Sequence, residues 1–191
     1  TRFGNLRNIL DFENVPIDNI YVLDSPILSN SQFEKFTVFF KNNLRVLDCT
    51  FNVQNNLKER LDQLSSEAEI AVREGCKHLI LSDKQLSEKK AAVPMILAFG
   101  AINSKLVNLG IRGFVSINVQ TGEVLDTHSF AVLLGVGATT INPYLAFDSI
   151  YQRYEKKLFG KFSYEECIQR YIKSVNNGLL KIMSKMGISV L

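Results

Sequence analysis

The chain of 191 residues is 46% hydrophobic and 21% charged, with a formal net charge of +3, a balance that can bury a core and excludes an extended disordered polymer. Its lysines and arginines are interleaved with acids, which argues against a nucleic-acid partner. Apolar runs such as 131–137 fall far short of the about 20 residues that span a bilayer, so no membrane partner is expected.

The first twenty or so residues read as polar and irregular, and Pro16 and Pro26 break any regular pattern. Ser29-Asn30-Ser31 then caps a helix carrying Phe33, Phe36 and Phe39 or Phe40. Leu44 to Phe51 is expected as one strand, followed by Leu57, Leu61, Leu64, Ala68, Ala71 and Val72 at helical spacing up to Gly75. His78 to Asp83 is the next strand, and a charged loop follows through Lys89-Lys90. Pro94 suits the first turn of a helix bearing Ile96, Phe99, Ile102, Leu106 and Leu109 on one face.

A third unit runs from the strand Phe114–Val119 through a turn at Thr121-Gly122 to a helix near His128–Leu134. Thr139–Asn142 is the fourth strand, and Pro143 starts a helix with Leu145, Phe147 and Ile150. Ser163-Tyr164-Glu165-Glu166 has the form of a capping box and opens a long helix ending at Gly187. The expected fold is α/β: a mostly parallel sheet of about four βα units with helical flanks. Four units cannot close an eight-unit barrel, which leaves an open half-barrel or a small doubly wound domain. Residues 1–191 are read as a single domain: an irregular segment and capping helix over 1–43, βα units over 44–155 and a C-terminal helix over 163–187. The chain opens on Thr1 and stops at Leu191, and is expected to be a piece of something longer.

Gly135-Val136-Gly137 has the look of a phosphate loop in the wrong order. Such a loop follows a strand and precedes a helix, whose free amides bind the anion. Here a helix precedes and a strand follows, so a left-handed helix cap is the expected role. Polar groups at strand C-terminal ends are better ligand candidates: Asp48, Ser82-Asp83-Lys84, Asn118 with Glu123, and Asn142. The same groups serve elsewhere as helix caps and loop hydrogen-bonders. Glu123 and Asp126 are conceivable as an acid and base, although nothing in their spacing demands it. His78 and His128 lie too far apart for a zinc pattern. His128 stands near Ser129 without a nucleophile elbow and reads as a structural or capping residue. Cys49, Cys76 and Cys167 are scattered and lack a C-x-x-C pair, which suits a reducing intracellular compartment, the cytoplasm or an organelle. Cys49, within an apolar strand, reads as a buried thiol. Arg153, Lys156 and Lys157 form a solvated face.

Four stretches, DSPILSN (24–30), EAEIAVREGCKHLILSDK (67–84), TGEVLDTHSFAVLLGVGATTINPYLAFD (121–148) and NNGLLKIMSKMGIS (176–189), together resemble the central domain of glutamate synthase. They follow that family's order and spacing over nearly the whole chain. The resemblance implies a partial copy of a βα barrel within a large enzyme that makes glutamate from glutamine and 2-oxoglutarate with internal ammonia transfer. It implies as partners the glutaminase and FMN-binding domains of the same polypeptide. FMN and an iron-sulfur cluster would belong to the full-length enzyme, and no catalytic, cofactor-binding or metal-binding residue is expected within this chain. Three positions depart from the family pattern. Ala101–Lys105 replaces a histidine-rich stretch, Lys84 replaces an arginine, and Thr127-His128-Ser129 keeps one of two histidines. On this reading Asp83, Lys84, Glu123, Asn142, Lys181, Ser184 and Lys185 are the candidate interdomain contacts. The rival reading is a self-sufficient small α/β enzyme or binding protein taking a phosphorylated ligand at the strand ends.

Overall fold

The structure is a computed structural model that describes residues 2–3 and 21–191. The irregular stretch around Pro16 lies outside the described residues. A short pair, β1 (Arg2–Phe3) with β2 (Tyr21–Val22), is antiparallel and precedes helix α1 (Asn30–Phe39). The main body alternates strands and helices: β3 (Leu44–Asp48), β4 (Thr50–Asn52), α2 (Leu57–Arg73), β5 (His78–Ser82), β6 (Lys90–Ala92), α3 (Met95–Asn108), β7 (Ser116–Gln120), α4 (Thr127–Gly135), β8 (Thr140–Asn142) and α5 (Tyr144–Glu155). Helix α6 (Tyr164–Met186) closes the order.

Strands β3, β5, β7 and β8 form one parallel sheet in that order. Neighbours in space are neighbours in the succession of units, and α2, α3 and α4 contribute to a single core cluster with Leu47, Leu79, Leu81, Ile117, Val119 and Ile141. Strand residues two apart share a face, so all three crossover helices lie on the same side of the sheet. A doubly wound domain would place helices on both sides. This is therefore a half-barrel winding, an open α/β sheet that does not close.

The opposite face is covered by residues 23–40. Leu23, Leu28, Phe33, Phe36 and Phe40 pack on Ile80 as a separate cluster. Two backbone bonds place this cover: Ile141 N–H donates to Pro26 O (2.8 Å) and Leu28 N–H to Ile141 O (2.9 Å). Ser29 and Gln32 then form a reciprocal capping box that starts α1. Sandwiched between both layers, β5 is buried at every residue.

Three expectations need correction. Leu44–Phe51 is not one strand: the chain leaves the parallel sheet at Cys49, whose N–H donates to Ser82 O while its own carbonyl accepts from Val93 N–H. Arg60 holds the break by donating to Asp48 O (2.6 Å) and Thr50 O (3.2 Å). Beyond it β4 pairs antiparallel with β6, so Lys90 belongs to a ribbon and not to the charged loop expected there. The third strand likewise starts later than Phe114, because Arg112–Phe114 form a 3-10 turn.

At the far end Ser163 and Glu166 complete the expected capping box of α6. Helix α6 crosses α4 closely at Gly178, where an added Cβ would lie 2.5 Å from Thr127 Cγ2 and 2.7 Å from its Oγ1. Helix propensity alone predicts that Gly178→Ala stabilises by about 1 kcal/mol. Overpacking predicts the reverse, a loss of about 1–3 kcal/mol. Urea unfolding should therefore show a net loss for Gly178→Ala that Thr127→Ala partly relieves.

Candidate functional site

The C-terminal ends of β5, β7 and β8 bring the predicted polar groups to one edge. Asp83, one residue past β5, is 1% exposed. Its carboxylate accepts from Thr121 Oγ1 (2.5 Å) and from Gly122 N–H (3.1 Å). Thr121 Oγ1 in turn accepts from Glu123 N–H (3.1 Å). Glu123 Oε2 then takes the N–H of Met95 (3.0 Å), a free amide of the first turn of α3. Burial, with Asp83 nearby, pushes the Glu123 carboxyl above its ordinary range. Tyr144 reaches the Asp83 carboxylate from α5, and burial and Asp83 raise its phenol. Lys84 Nζ sits 6.0 Å from the Tyr144 ring centroid. Asp83, Lys84 and Glu123 thus form one connected group.

Asn142 belongs to a second row. Asp48, Ser82, Gln120 and Asn142 stand in register across the sheet. Ser82 Oγ donates to Gln120 Oε1 (2.8 Å), Gln120 Nε2 to Asn142 Oδ1 (3.2 Å), and Asn142 Nδ2 to Leu28 O and Asn30 Oδ1 (both 3.0 Å). Deeper on the same face His78 Nδ1 pairs with Ser116 Oγ (2.8 Å), and Asn118 links Ser116, Leu79 O and Thr140. Among the described residues no buried side-chain N or O lacks a hydrogen-bond partner. Gln120 and Tyr144 carry no mark in the sequence that points to this edge, and Thr121 is marked there only as a turn residue. The alternation Ser116, Asn118, Gln120 along β7 was the available sign that one sheet face is polar.

The remaining candidates stand apart. Lys181, Ser184 and Lys185 are exposed on the last turns of α6, and no hydrogen bond ties them to the strand-end group. Asp126 does not act with Glu123: it caps α4 by accepting from Ser129 N–H and Oγ. Cys49 is buried, and desolvation pushes its thiol up to about 12. Asn103 and Lys105, within the stretch that departs from the family's histidines, have structural contacts with Arg112 (2.7 Å) and Glu69 (3.3 Å).

Among the described residues, the glycine turn does not fit a flavin phosphate and the cysteines do not fit a cluster. At the glycine turn Val136, Gly137 and Ala138 give their amides to the carbonyls of Val132, Leu134 and Leu133. Gly137 has φ +109°, a left-handed conformation suited to a helix stop, and its carbonyl accepts from Arg112. No amide of that turn is left for an anion. Among the described residues no group of three or more His, Cys, Asp or Glu could hold a metal ion, and the three cysteines are free and separate. No helix among them is long and apolar enough to cross a membrane.

A half-barrel α/β layer with an internally satisfied strand-end edge defines the class. The family model for the glutamate synthase central domain matches residues 1–191, and the chain belongs to that family. It is 44% identical over its whole length to the NADPH glutamate synthase large chain of Azospirillum brasilense, of which it covers 13%. It is 38% identical over 87% of its length to the NADPH enzyme's large chain of Bacillus subtilis, covering 11% of that protein. The ferredoxin-dependent, chloroplastic glutamate synthase of rice (Oryza sativa subsp. japonica) is 38% identical over 98% of the chain, which covers 12% of it. The chain thus spans about an eighth of the length of these relatives.

His78 supplies a pH test of the polar face. Burial lowers its folded pKa from 6.5 to about 4. The unfolded chain therefore binds a proton between those values that the folded chain does not. Stability is full above about pH 6.5 and declines as pH falls toward 4, by on the order of 3 kcal/mol. Replacing His78 with Gln should flatten unfolding free energy over that window while leaving the acid limb set by the carboxylates.

Proposed function

We propose that this domain is the non-catalytic link of a glutamate synthase, holding the glutaminase and FMN-binding domains of one polypeptide in register while ammonia passes between them. The observation that carries the reading is the strand-end edge itself. In a parallel α/β sheet that edge is where ligands bind, yet here Asp83, Ser82, Gln120 and Asn142 spend their hydrogen bonds on one another and on the backbone. Such an edge is built to be stiff. Close-packed walls of this kind suit an enclosed path that keeps out water.

The relatives add support, because the same domain occurs in enzymes named for NADPH and for ferredoxin. A link between modules would be indifferent to the electron donor. Glutamate formation from glutamine and 2-oxoglutarate, together with the FMN and the iron-sulfur cluster, would then lie with the rest of the polypeptide. Free cysteines suit a reducing compartment, which both a bacterial cytoplasm and a chloroplast stroma provide.

In this arrangement residues 1–191 act as one unit. Lys84, Glu123, Lys181, Ser184 and Lys185 touch the neighbouring domains directly, and Asp83 and Asn142 support them from beneath. Alanine at Lys84, Lys181, Ser184 and Lys185 together, in the full-length enzyme, should let glutamine hydrolysis outrun glutamate formation while the glutaminase rate persists. One glutamate formed per glutamine hydrolysed in that variant, at the parent rate, would remove the assignment.

A further inference from the structure

A cleft of about 360 Å³ opens between the chain entering α1 and helix α6. Asp24 and Ser25 line one wall, and Lys173, Asn176 and Asn177 line the other. Leu23, Ile27 and Ile172 are buried and give the cleft an apolar floor. Ser25 Oγ ties the walls together: it donates to Asn176 Oδ1 (2.9 Å) and accepts the N–H of Ile27 (3.0 Å). Two of the four stretches that carry the family resemblance, DSPILSN and NNGLLKIMSKMGIS, thus meet here across 151 positions.

The strand-end edge spends its polar groups on itself, and this cleft does not. No ion pair among the described residues includes Asp24 or Lys173. No protein hydrogen bond takes the Asp24 carboxylate, the Lys173 ammonium or the Asn177 carboxamide, and Asn176 Nδ2 is left over once its Oδ1 is taken. Among the described residues of the lining, Asp24 and Lys173 are the charged ones. One carboxylate, one ammonium on the other wall and two carboxamides, set around a small apolar floor, are the complement of a zwitterion that carries an amide of its own. A phosphate would meet Asp24 as well as Lys173, and a metal ion would find a single carboxylate. We infer that this cleft binds a free α-amino acid with a carboxamide side chain: its ammonium on Asp24, its α-carboxylate on Lys173 and its amide on Asn176 and Asn177. A third charge, as on glutamate or lysine, would have no partner there. Touching both walls, the occupant fastens the N-terminal cover to α6.

The test is amide hydrogen exchange of the full-length enzyme, read over the peptide 21–28, with L-glutamine and L-asparagine as probes. Either probe should slow exchange there several-fold, whereas N-acetyl-L-glutamine, which lacks the ammonium, should not. Asp24→Asn and Lys173→Met, both at exposed positions, should each weaken the apparent affinity about tenfold, as loss of one charged hydrogen bond does. Lys35→Met, on α1 outside the cleft lining, should leave it unchanged. No slowing with either probe overturns the inference. So does slowing that persists in the Asp24→Asn, Lys173→Met double variant, which would place the ligand in another domain. Equal slowing by L-glutamate would remove the carboxamide selectivity and overturn it as well. The readout is separate from the linking role, because coupling of glutamine hydrolysis to glutamate formation can hold or fail without changing it.

Discussion

Two backbone hydrogen bonds to Ile141, from Leu28 N–H and to Pro26 O, decide how the rest of the domain is arranged. A four-stranded parallel sheet has two faces to bury, and its three crossover helices cover only one. The bonds to Ile141 dock residues 26–28 beside β8 and so aim α1 across the other face. Under that cover the polar side chains of His78, Ser116, Asn118 and Thr140 bond one another, and Asn118 also donates to Leu79 O. Unsatisfied, each would cost about 1–3 kcal/mol.

The same docking explains the strand-end edge. Asn142 meets Leu28 O and Asn30 because the chain entering α1 runs past the end of β8. Through Gln120 that anchor reaches Ser82. Asp83, one residue further, orders the turn at Thr121-Gly122, which in turn fixes Glu123 at the start of α3. An unbroken set of local bonds therefore connects the N-terminal cover to the surface proposed to meet another domain. Rigidity here follows from bonding each polar group twice, not from bulk.

Much of this was legible in the residues. Ser29, Ser163 and the glycine stop after α4 marked helix ends because caps answer a local need, the unpaired amides and carbonyls of a helix terminus. The four parallel strands followed from short β-branched runs alternating with helical spacing. The break at Cys49 was not legible, since Leu44 to Phe51 holds no proline or glycine to mark it and the interruption comes from distant Ser82, Val93 and Arg60. Nor was the burial of Asn142: an asparagine at a strand end reads alike whether it faces water or the carbonyl of a residue 114 positions earlier. Local chemistry writes its own punctuation, while tertiary partners leave little trace in one sequence.

The early exit of β3 from the sheet bears on how the domain behaves when handled alone. An open half-barrel has a strand at its margin, and such margins recruit other chains by edge-to-edge pairing. Here the marginal strand is five residues long, carries Arg45 paired with Glu74, and ends where Arg60 turns the chain aside. A template that short and that charged is a poor start for intermolecular strand addition, so the piece of barrel can stay open without inviting its own aggregation.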